Sequence, residues 1–395
     1  MLDKISISGF KSIKSISNFE LKPINILIGA NGAGKSNFID FFRMLRAMLE
    51  FKIAELKDCP SLAAFIEEKG GMANLLFNGP KTQKISTELF FNRGMNGYRF
   101  ELDITSAAGF MINNEACFYK KAPNGQSWKL LGGGYTRPRL LEEINTRHNR
   151  ARFDYIYGTI NAWQIYHFHD TSRLAGVRMP CNISDNRYFQ FDASNLAAFL
   201  YALKEGDYEA QVVNGNTPQR RMVPNQAARD SYEQIVEAVK VIAPYFEDFI
   251  LVPPKEGKDD IKMQWRQKGS DINMQAYHLS DGTLRFICLA VALLQPNPPE
   301  LMLIDEPELG LHPEALKVLA ELINLSKEHT QIIASTQSPA FADLFAPEDI
   351  VTVKRQDGAT NLERLDASTL SVWLNHFSIG QLWRKNVIKG GIVNE

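Results

Sequence analysis

The sequence predicts an α/β protein, on three observations. Ile24 to Ile28 read INILI, an apolar strand, and Gly29 to Ser36 read GANGAGKS, a glycine-rich turn that opens a helix. From Asp281 onward a helix, the strand ELMLID, a helix, the strand TQIIAS, a short helix and the strand DIVTVK follow one another. That rhythm belongs to a parallel sheet with both faces covered. Between these parts, Lys84 to Leu131 holds short alternating segments (ISTELFFN, YRFELDIT, EACFYK, SWKLL) separated by Gly, Asn and Pro, the pattern of an antiparallel sheet.

Taken in order, Leu2 to Gly9 alternates as a strand, and an irregular stretch, FKSIKSISNFELKP, leads to the strand Ile24 to Ile28. The spacing G-x-x-x-x-G-K-S is met by Gly29, Gly34, Lys35 and Ser36. Gly29, Gly32 and Gly34 let the backbone turn its N–H groups inward as a nest for phosphate, with Asn31, Ala33 and Asn37 in the same cradle. Lys35 would reach the β- and γ-phosphates and the Ser36 hydroxyl a Mg²⁺ ion. The helix expected from Asn37 to Leu49 adds the positive end of its dipole.

Thr136 to Arg152 is rich in arginine. Arg137, Arg139, Arg147, Arg150 and Arg152, with Arg220 and Arg221 later, suit either a solvated face or contact with a phosphate backbone. INAWQIYHFHD is expected to be a buried strand with His167 and His169 on one face and Asp170 adjacent. Nothing elsewhere completes a metal site, so hydrogen-bonded histidines are the reading adopted. Helices are expected from Asn195 to Glu205 and from Gln226 to Ala243, the second stopping before Pro244. The strands INILI and ELMLID are both apolar and are expected side by side, which makes the middle of the chain an insertion. Asp305 and Glu306 lie just past ELMLID, and the carboxyl ends of strands are where α/β sheets bind ligands. Asp305 is therefore expected on the Mg²⁺ and Glu306 as the general base for the attacking water. In HLSDGTLRF, Ser280 and Gly282 stand at a second helix start able to bind an anion.

Bulk properties narrow the classes. With 395 residues, 45% apolar and 23% charged, the chain has a globular composition and is neither a disordered tail nor a fibre. A formal charge of -1 provides no global attraction to nucleic acid or anionic membrane, so DNA contact would need a local patch. Four scattered cysteines, Cys59, Cys117, Cys181 and Cys288, form neither a disulfide framework nor a zinc spacing and read as reduced thiols. The N-terminus lacks a signal-peptide core, and the longest apolar run, Phe286 to Leu294, is too short to span a bilayer. A cytoplasmic protein with no membrane partner is the expectation.

GANGAGKS, LSDGT, LMLIDEPELGLHP and STQSP stand in the order and local spacing of the ABC ATPase group that includes RecF, SMC heads and OLD-family nucleases. The chain looks most like the small stand-alone AAA_21-type branch of that group. YHFHDTS, SNLAAFLYAL and SIGQLWRKNVIKGG extend the resemblance over nearly the whole chain. It implies one ABC-type head over 1–395: an N-terminal lobe (1–135) with the phosphate loop and antiparallel β, an arginine-containing helical insertion (136–270), and a C-terminal lobe (271–395) with the signature, Asp–Glu pair and switch. It also implies ATP and Mg²⁺, and a head-to-tail homodimer or higher oligomer in which Ser280 and Gly282 reach the γ-phosphate on the opposite subunit. Pro307 to Pro313 would communicate between the two sites. Gln337 stands where the family usually has a histidine that senses the γ-phosphate. Glutamine hydrogen-bonds but takes no positive charge, which implies slower turnover or a purely positional role. The first-lobe glutamine that touches Mg²⁺ stays open between Gln83 and Gln164.

Absences separate the relatives. Prolines at 180, 218, 224 and 244 exclude an SMC-like coiled coil from the middle segment. The acidic residues after Arg355, Glu363 and Asp366 among them, make no OLD-like nuclease cluster. An N-K-x-D base-recognition motif is missing, which favours ATP over GTP. The expected function is an ATP-driven motor or sensor in DNA maintenance or anti-phage defence, acting through a separate nuclease or toxin. The alternative is an ATP-gated scaffold that restrains such a partner with little turnover.

Overall fold

The computed structural model of the chain describes residues 1–49, 61–105, 109–120, 126–144, 150–206, 209–214, 217–222, 225–253 and 258–388. Cys59, Arg147 and Pro224 lie outside them. The chain forms two compact units, one from Met1–Trp163, Val213–Pro218 and Ile333–Glu395, the other from Gln164–Val212 and Gln219–Ile332.

The first unit opens with strands β1 (Leu2–Phe10), β2 (Ile13–Glu20) and β3 (Ile24–Ile28) and helices α1 (Lys35–Met48) and α2 (Leu62–Glu68). Strands β4 (Lys84–Phe91), β5 (Asn96–Ile104), β6 (Phe110–Lys120) and β7 (Gln126–Gly132) and helices α3 (Leu140–Glu143) and α4 (Arg150–Asn161) follow. A six-stranded sheet in the order β2-β1-β4-β5-β6-β7 confirms the antiparallel lobe and recruits the N-terminal strand into it. In β4 the residues Ile85, Leu89 and Phe91 are fully buried while Lys84, Ser86 and Glu88 face the other way, the period of two that a half-covered sheet requires. The stretch FKSIKSISNFELKP is not irregular coil but contains β2. Its alternation is broken by a register shift between Ile5 and Ile7 on β1 and by the left-handed Asn18, and a bulge of that kind moves every later side chain to the opposite face. Helix α1 is buried almost all round. Phe41 meets Phe10 edge-on at 5.7 Å, and Phe42 meets the fully buried Trp163 at 5.3 Å. At the start of α3, Glu115 is wholly buried and accepts from the backbone N–H of Arg139 and Leu140 and from the Tyr98 hydroxyl. Arg139 is itself engaged in the fold, its guanidinium 4.0 Å from the Tyr135 ring.

The second unit contains β8 (Gln164–Tyr166), β9 (Cys181–Asn182), α5 (Leu196–Glu205) and α6 (Asn225–Ile242), while the residues of the pair β10 (Glu209–Asn214) and β11 (Thr217–Met222) are divided between the two units. It continues through β12 (Phe246–Leu251), β13 (Asp260–Ile261), β14 (Met263–Gln267), β15 (Asn273–Gln275), α7 (Asp281–Leu294), β16 (Leu301–Asp305) and α8 (Pro313–Ser326). The segment expected to be a helical insertion thus also contains strands, among them β12 and β14 of a three-stranded sheet β12-β14-β15. Strand β8 runs parallel to β16 and stops at Tyr166. His167 and His169 therefore lie beyond the strand rather than along it, with their rings stacked at 4.2 Å. Among the described residues no group of His, Cys, Asp and Glu is arranged to hold a metal ion.

The chain then forms β17 (Gln331–Thr336), α9 (Pro339–Ala342), β18 (Ile350–Gln356), β19 (Ala359–Arg364), α10 (Ala367–Leu374) and α11 (Ile379–Arg384). Strand β3 lies between β18 and β17, with Ile26, Leu27 and Ile28 in parallel register with Ile350, Val351 and Thr352. This corrects the expectation that INILI and ELMLID are neighbours, since both places beside β3 are taken. The antiparallel hairpin β18–β19 turns at Asp357 and Gly358, both in left-handed backbone, as a two-residue turn with the sheet's own twist demands. Gly380, in the terminal SIGQLW, lies so close to α9 that a Cβ would sit 2.4 Å from the Pro339 carbonyl oxygen. Among the described residues no helix is long and apolar enough to cross a membrane.

Candidate functional site

In the first unit the phosphate loop joins the end of β3 to the start of α1, and its three glycines are required on two grounds, close approach and left-handed backbone. A Cβ on Gly29 would sit 2.3 Å from the Val353 carbonyl oxygen of β18. Gly32 has open space around it but a φ of 79°, which L side chains rarely adopt. Gly34 combines both, with φ 107° and a Cβ that would lie 2.0 Å from Thr360 Oγ1. Thr360 donates from Oγ1 to the Ala33 carbonyl at 2.9 Å and shares a 2.7 Å hydroxyl contact with Ser12, to which Asn37 Nδ2 also donates at 2.7 Å. Ser12 and Thr360 are both buried, so a small hydroxyl network braces the underside of the loop. Asn37 belongs to that brace.

The loop meets the requirements of an anion cradle. Helix α1 starts after the N-cap Gly34 without a side-chain cap and has no acidic residue in its first turn, so no side chain of its own start offsets the positive potential of its N-terminal N–H groups. Lys35 is buried, and its ammonium donates to the carbonyls of Gly29 at 2.6 Å and Ala30 at 3.1 Å. A buried cation at an uncapped helix start suits a triphosphate. Asn31 and Ser36 are exposed, so the Ser36 hydroxyl is open to a Mg²⁺ ion. Gln337, also exposed, follows the carboxyl end of β17 and precedes Ser338, whose side chain caps α9.

In the second unit β16 is buried through Ile304 and delivers Asp305, half-buried, at its carboxyl end. Glu306, the next residue, has φ 46°, a left-handed conformation that costs a non-glycine residue about 1–2 kcal/mol. Strain of this kind persists where the surroundings hold it. Here His169 Nε2 contacts the Asp305 carbonyl oxygen at 2.8 Å. The oxygen only accepts, so Nε2 carries the hydrogen. Ser280 is the N-cap of α7, accepting from Thr283 N–H at 3.1 Å, as its place before the helix predicts. Arg178, absent from the sequence reading, braces the approach: it donates to the carbonyls of Ala276 and Leu279 and pairs with Asp281 at 2.7 Å. Gly282 has an intramolecular reason to be glycine, since a Cβ there would meet the Gly310 carbonyl oxygen at 2.2 Å. Arg285, one turn further along α7, donates to the carbonyls of Phe168, His169 and Leu309. Neither arginine carries a local signal that points to these partners. The Asp-Gly dipeptide at 357–358, flanked by strand residues, does announce the hairpin that brings Thr360 to the loop.

A glycine-rich loop between a buried strand and an uncapped helix, with a buried lysine and an acidic pair after another apolar strand, defines a P-loop nucleotide-binding protein of α/β architecture. Residues 24–343 match the AAA_21 family model, described as "AAA domain, putative AbiEii toxin, Type IV TA system", and the chain belongs to that family. Two solved structures share its fold. One is an SMC head bound to the C-winged helix domain of ScpA (TM-score 0.56, 16% identity, covering 94% of this chain and 99% of that one). The other is an Smc head domain with an extended coiled coil bound to the C-terminal domain of ScpA, derived from Pyrococcus furiosus (TM-score 0.50, 15% identity, covering 95% and 98%). No curated protein matches the chain in sequence. The chain therefore has the ABC ATPase head fold and belongs to the ATP-binding ATPases, a class that uses nucleotide and usually Mg²⁺.

Proposed function

We propose that the protein hydrolyses ATP with Mg²⁺ when two copies close around the nucleotide, and that it works in the cytoplasm through a separate effector, a nuclease or toxin, in anti-phage defence or DNA maintenance. The observation that carries the first part is the phosphate loop, in which a buried ammonium and an uncapped helix start converge on one anion cradle. The N–H groups of residues 29–37 and Lys35 bind the phosphates, and Ser36 and Asp305 would each offer an oxygen to a Mg²⁺ ion, which would supply positive charge against the transferring phosphoryl group. Glu306 takes the proton of the attacking water, and Gln337 orients that water or the γ-phosphate by hydrogen bonding. Ser280 and the start of α7 supply the anion-binding surface for the nucleotide of a second copy. The effector rests on the family's description, which names a toxin, and on SMC heads of like fold that are bound to a partner protein. DNA contact rests on the arginines of the middle segment. Phosphate release measured with Mg²⁺ and ATP, with and without DNA, tests the proposal. Turnover no greater than that of Glu306→Gln abandons it.

A second reading, an ATP-gated scaffold that holds its partner inactive with little turnover, is favoured by Gln337, because an amide cannot charge in response to the γ-phosphate. Mass measurement with and without a nonhydrolysable ATP analogue separates the two. A scaffold is assembled in both states, a cycling ATPase mainly with nucleotide.

A further inference from the structure

The motif YHFHD has no part in the function proposed above, yet its second histidine touches the peptide that leads into the proposed general base. We infer that His169, held by Arg285, is a positioning residue for Glu306 and links the start of α7 to that carboxylate. The inference rests on the proposed hydrolysis. Glu306 is held in left-handed backbone, and the peptide leading into it begins at the Asp305 carbonyl, which His169 Nε2 engages at 2.8 Å. The imidazole is oriented by the parallel ring of His167 at 4.2 Å. Its backbone is fixed by Arg285, which donates from Nη2 to the His169 carbonyl at 2.7 Å and from Nε to that of Phe168 at 2.9 Å. The remaining Nη1 donates at 2.7 Å to Leu309, three residues beyond Glu306. One planar fork thus ties to α7 both the histidine that engages the Asp305 carbonyl and the loop at Leu309.

Gly282, on the first turn of the same helix, leaves no room for a side chain against the Gly310 carbonyl. A shift of the helix start therefore reaches the loop at Leu309 and Gly310 by direct contact, and reaches Asp305 through Arg285 and His169. Packed backbones transmit such shifts because they have no slack to absorb them. Closure of a second copy's nucleotide on Ser280 is in this way coupled to the aim of Glu306 in the same chain.

The test compares the wild type, His169→Ala and His169→Gln in steady-state hydrolysis, in binding of a fluorescent ATP analogue and in amide exchange without nucleotide. His169→Ala is expected to lower kcat about ten- to a hundred-fold, the scale of a misplacement near 1 Å, with KM and analogue affinity within about two-fold. His169→Gln keeps an N–H of similar reach and is expected to restore most of kcat. Amide exchange across residues 305–311 is expected to quicken in the alanine variant and not in the glutamine one. Arg285→Lys, which cannot serve three carbonyls in one plane, is expected to lower kcat in the same manner. Unchanged kcat and exchange in His169→Ala overturn the inference, as does loss of analogue binding in both His169 variants, which marks a merely structural role. A wild type that leaves ATP intact overturns the hydrolytic proposal instead, and the nucleotide-free exchange still decides whether His169 holds the peptide.

Discussion

Lys35 places a buried ammonium against two neutral carbonyl oxygens of its own loop. A charged phosphate oxygen is a stronger acceptor for an ammonium than a neutral carbonyl, so phosphate competes with these two carbonyls at an advantage. Lys35→Ala is expected to weaken binding of a fluorescent ATP analogue by about ten- to a hundred-fold, the worth of a lost charge-assisted hydrogen bond, as read by titration. Glu306→Gln is expected to separate binding from chemistry. The amide matches the carboxylate in shape but takes no proton, so hydrolysis should fall about 10²- to 10⁴-fold while the analogue binds normally. The places of both residues in the fold, at a helix start after a glycine-rich turn and just past an apolar strand, were legible in the sequence because those are local signals. The strained φ of Glu306 was not, since contacts from residues distant in sequence, the His169 hydrogen bond to the Asp305 carbonyl among them, bear on that peptide.

At the scale of elements, the phosphate loop is positioned as much by β19 as by β3. Thr360→Val is nearly isosteric but leaves the Ala33 carbonyl and the Ser12 hydroxyl without their buried partner. It is expected to cost about 1–3 kcal/mol of stability, seen as a lower denaturation midpoint, together with weaker analogue binding. Gly282→Ala is expected to act on α7 and the loop after Glu306 together, because the added methyl meets backbone rather than a side chain that can swing away. Hydrolysis should fall while binding of the analogue to the phosphate loop is preserved. Helices α1, α7 and α8 and strands β3, β16, β17 and β18 were legible because an apolar run or period survives along each of them. Strand β2 was hidden by its bulge, and the strands β12, β14 and β15 by their shortness within a segment read for helices.

At the scale of the whole molecule, Glu115 joins β5, β6 and the start of α3, and burial, its largest influence, raises its carboxyl above the ordinary 4.5 despite the Leu140 N–H and the Tyr98 hydroxyl. Above 4.5 the folded state then binds more protons at this group than the unfolded state does. Its contribution to stability is full below the ordinary value and is lost as pH rises through the raised one. The stability of the wild type relative to Glu115→Gln is therefore expected to increase as pH falls through the raised value toward the ordinary 4.5, measured by denaturant titration of both proteins. For the assembly, Ser280→Arg sets a bulky cation at the cap of α7 and is expected to abolish the ATP-dependent dimer without weakening analogue binding to the phosphate loop. Mass measurement with the nonhydrolysable analogue checks this, and a persisting dimer would remove Ser280 from the interface.

By itself the sequence determined the α/β class, the phosphate loop, the capped start of α7 and the acidic pair, because each depends on steric and hydrogen-bonding rules that act within a few neighbouring residues. Tertiary structure alone decided which strands flank β3, that Ser12 and Thr360, 348 positions apart, meet beneath Gly34, and that Arg285 reaches the carbonyl of Phe168, 117 positions away. Those pairings arise from close packing between distant segments. Packing selects partners by shape and distance in space, which no local periodicity encodes.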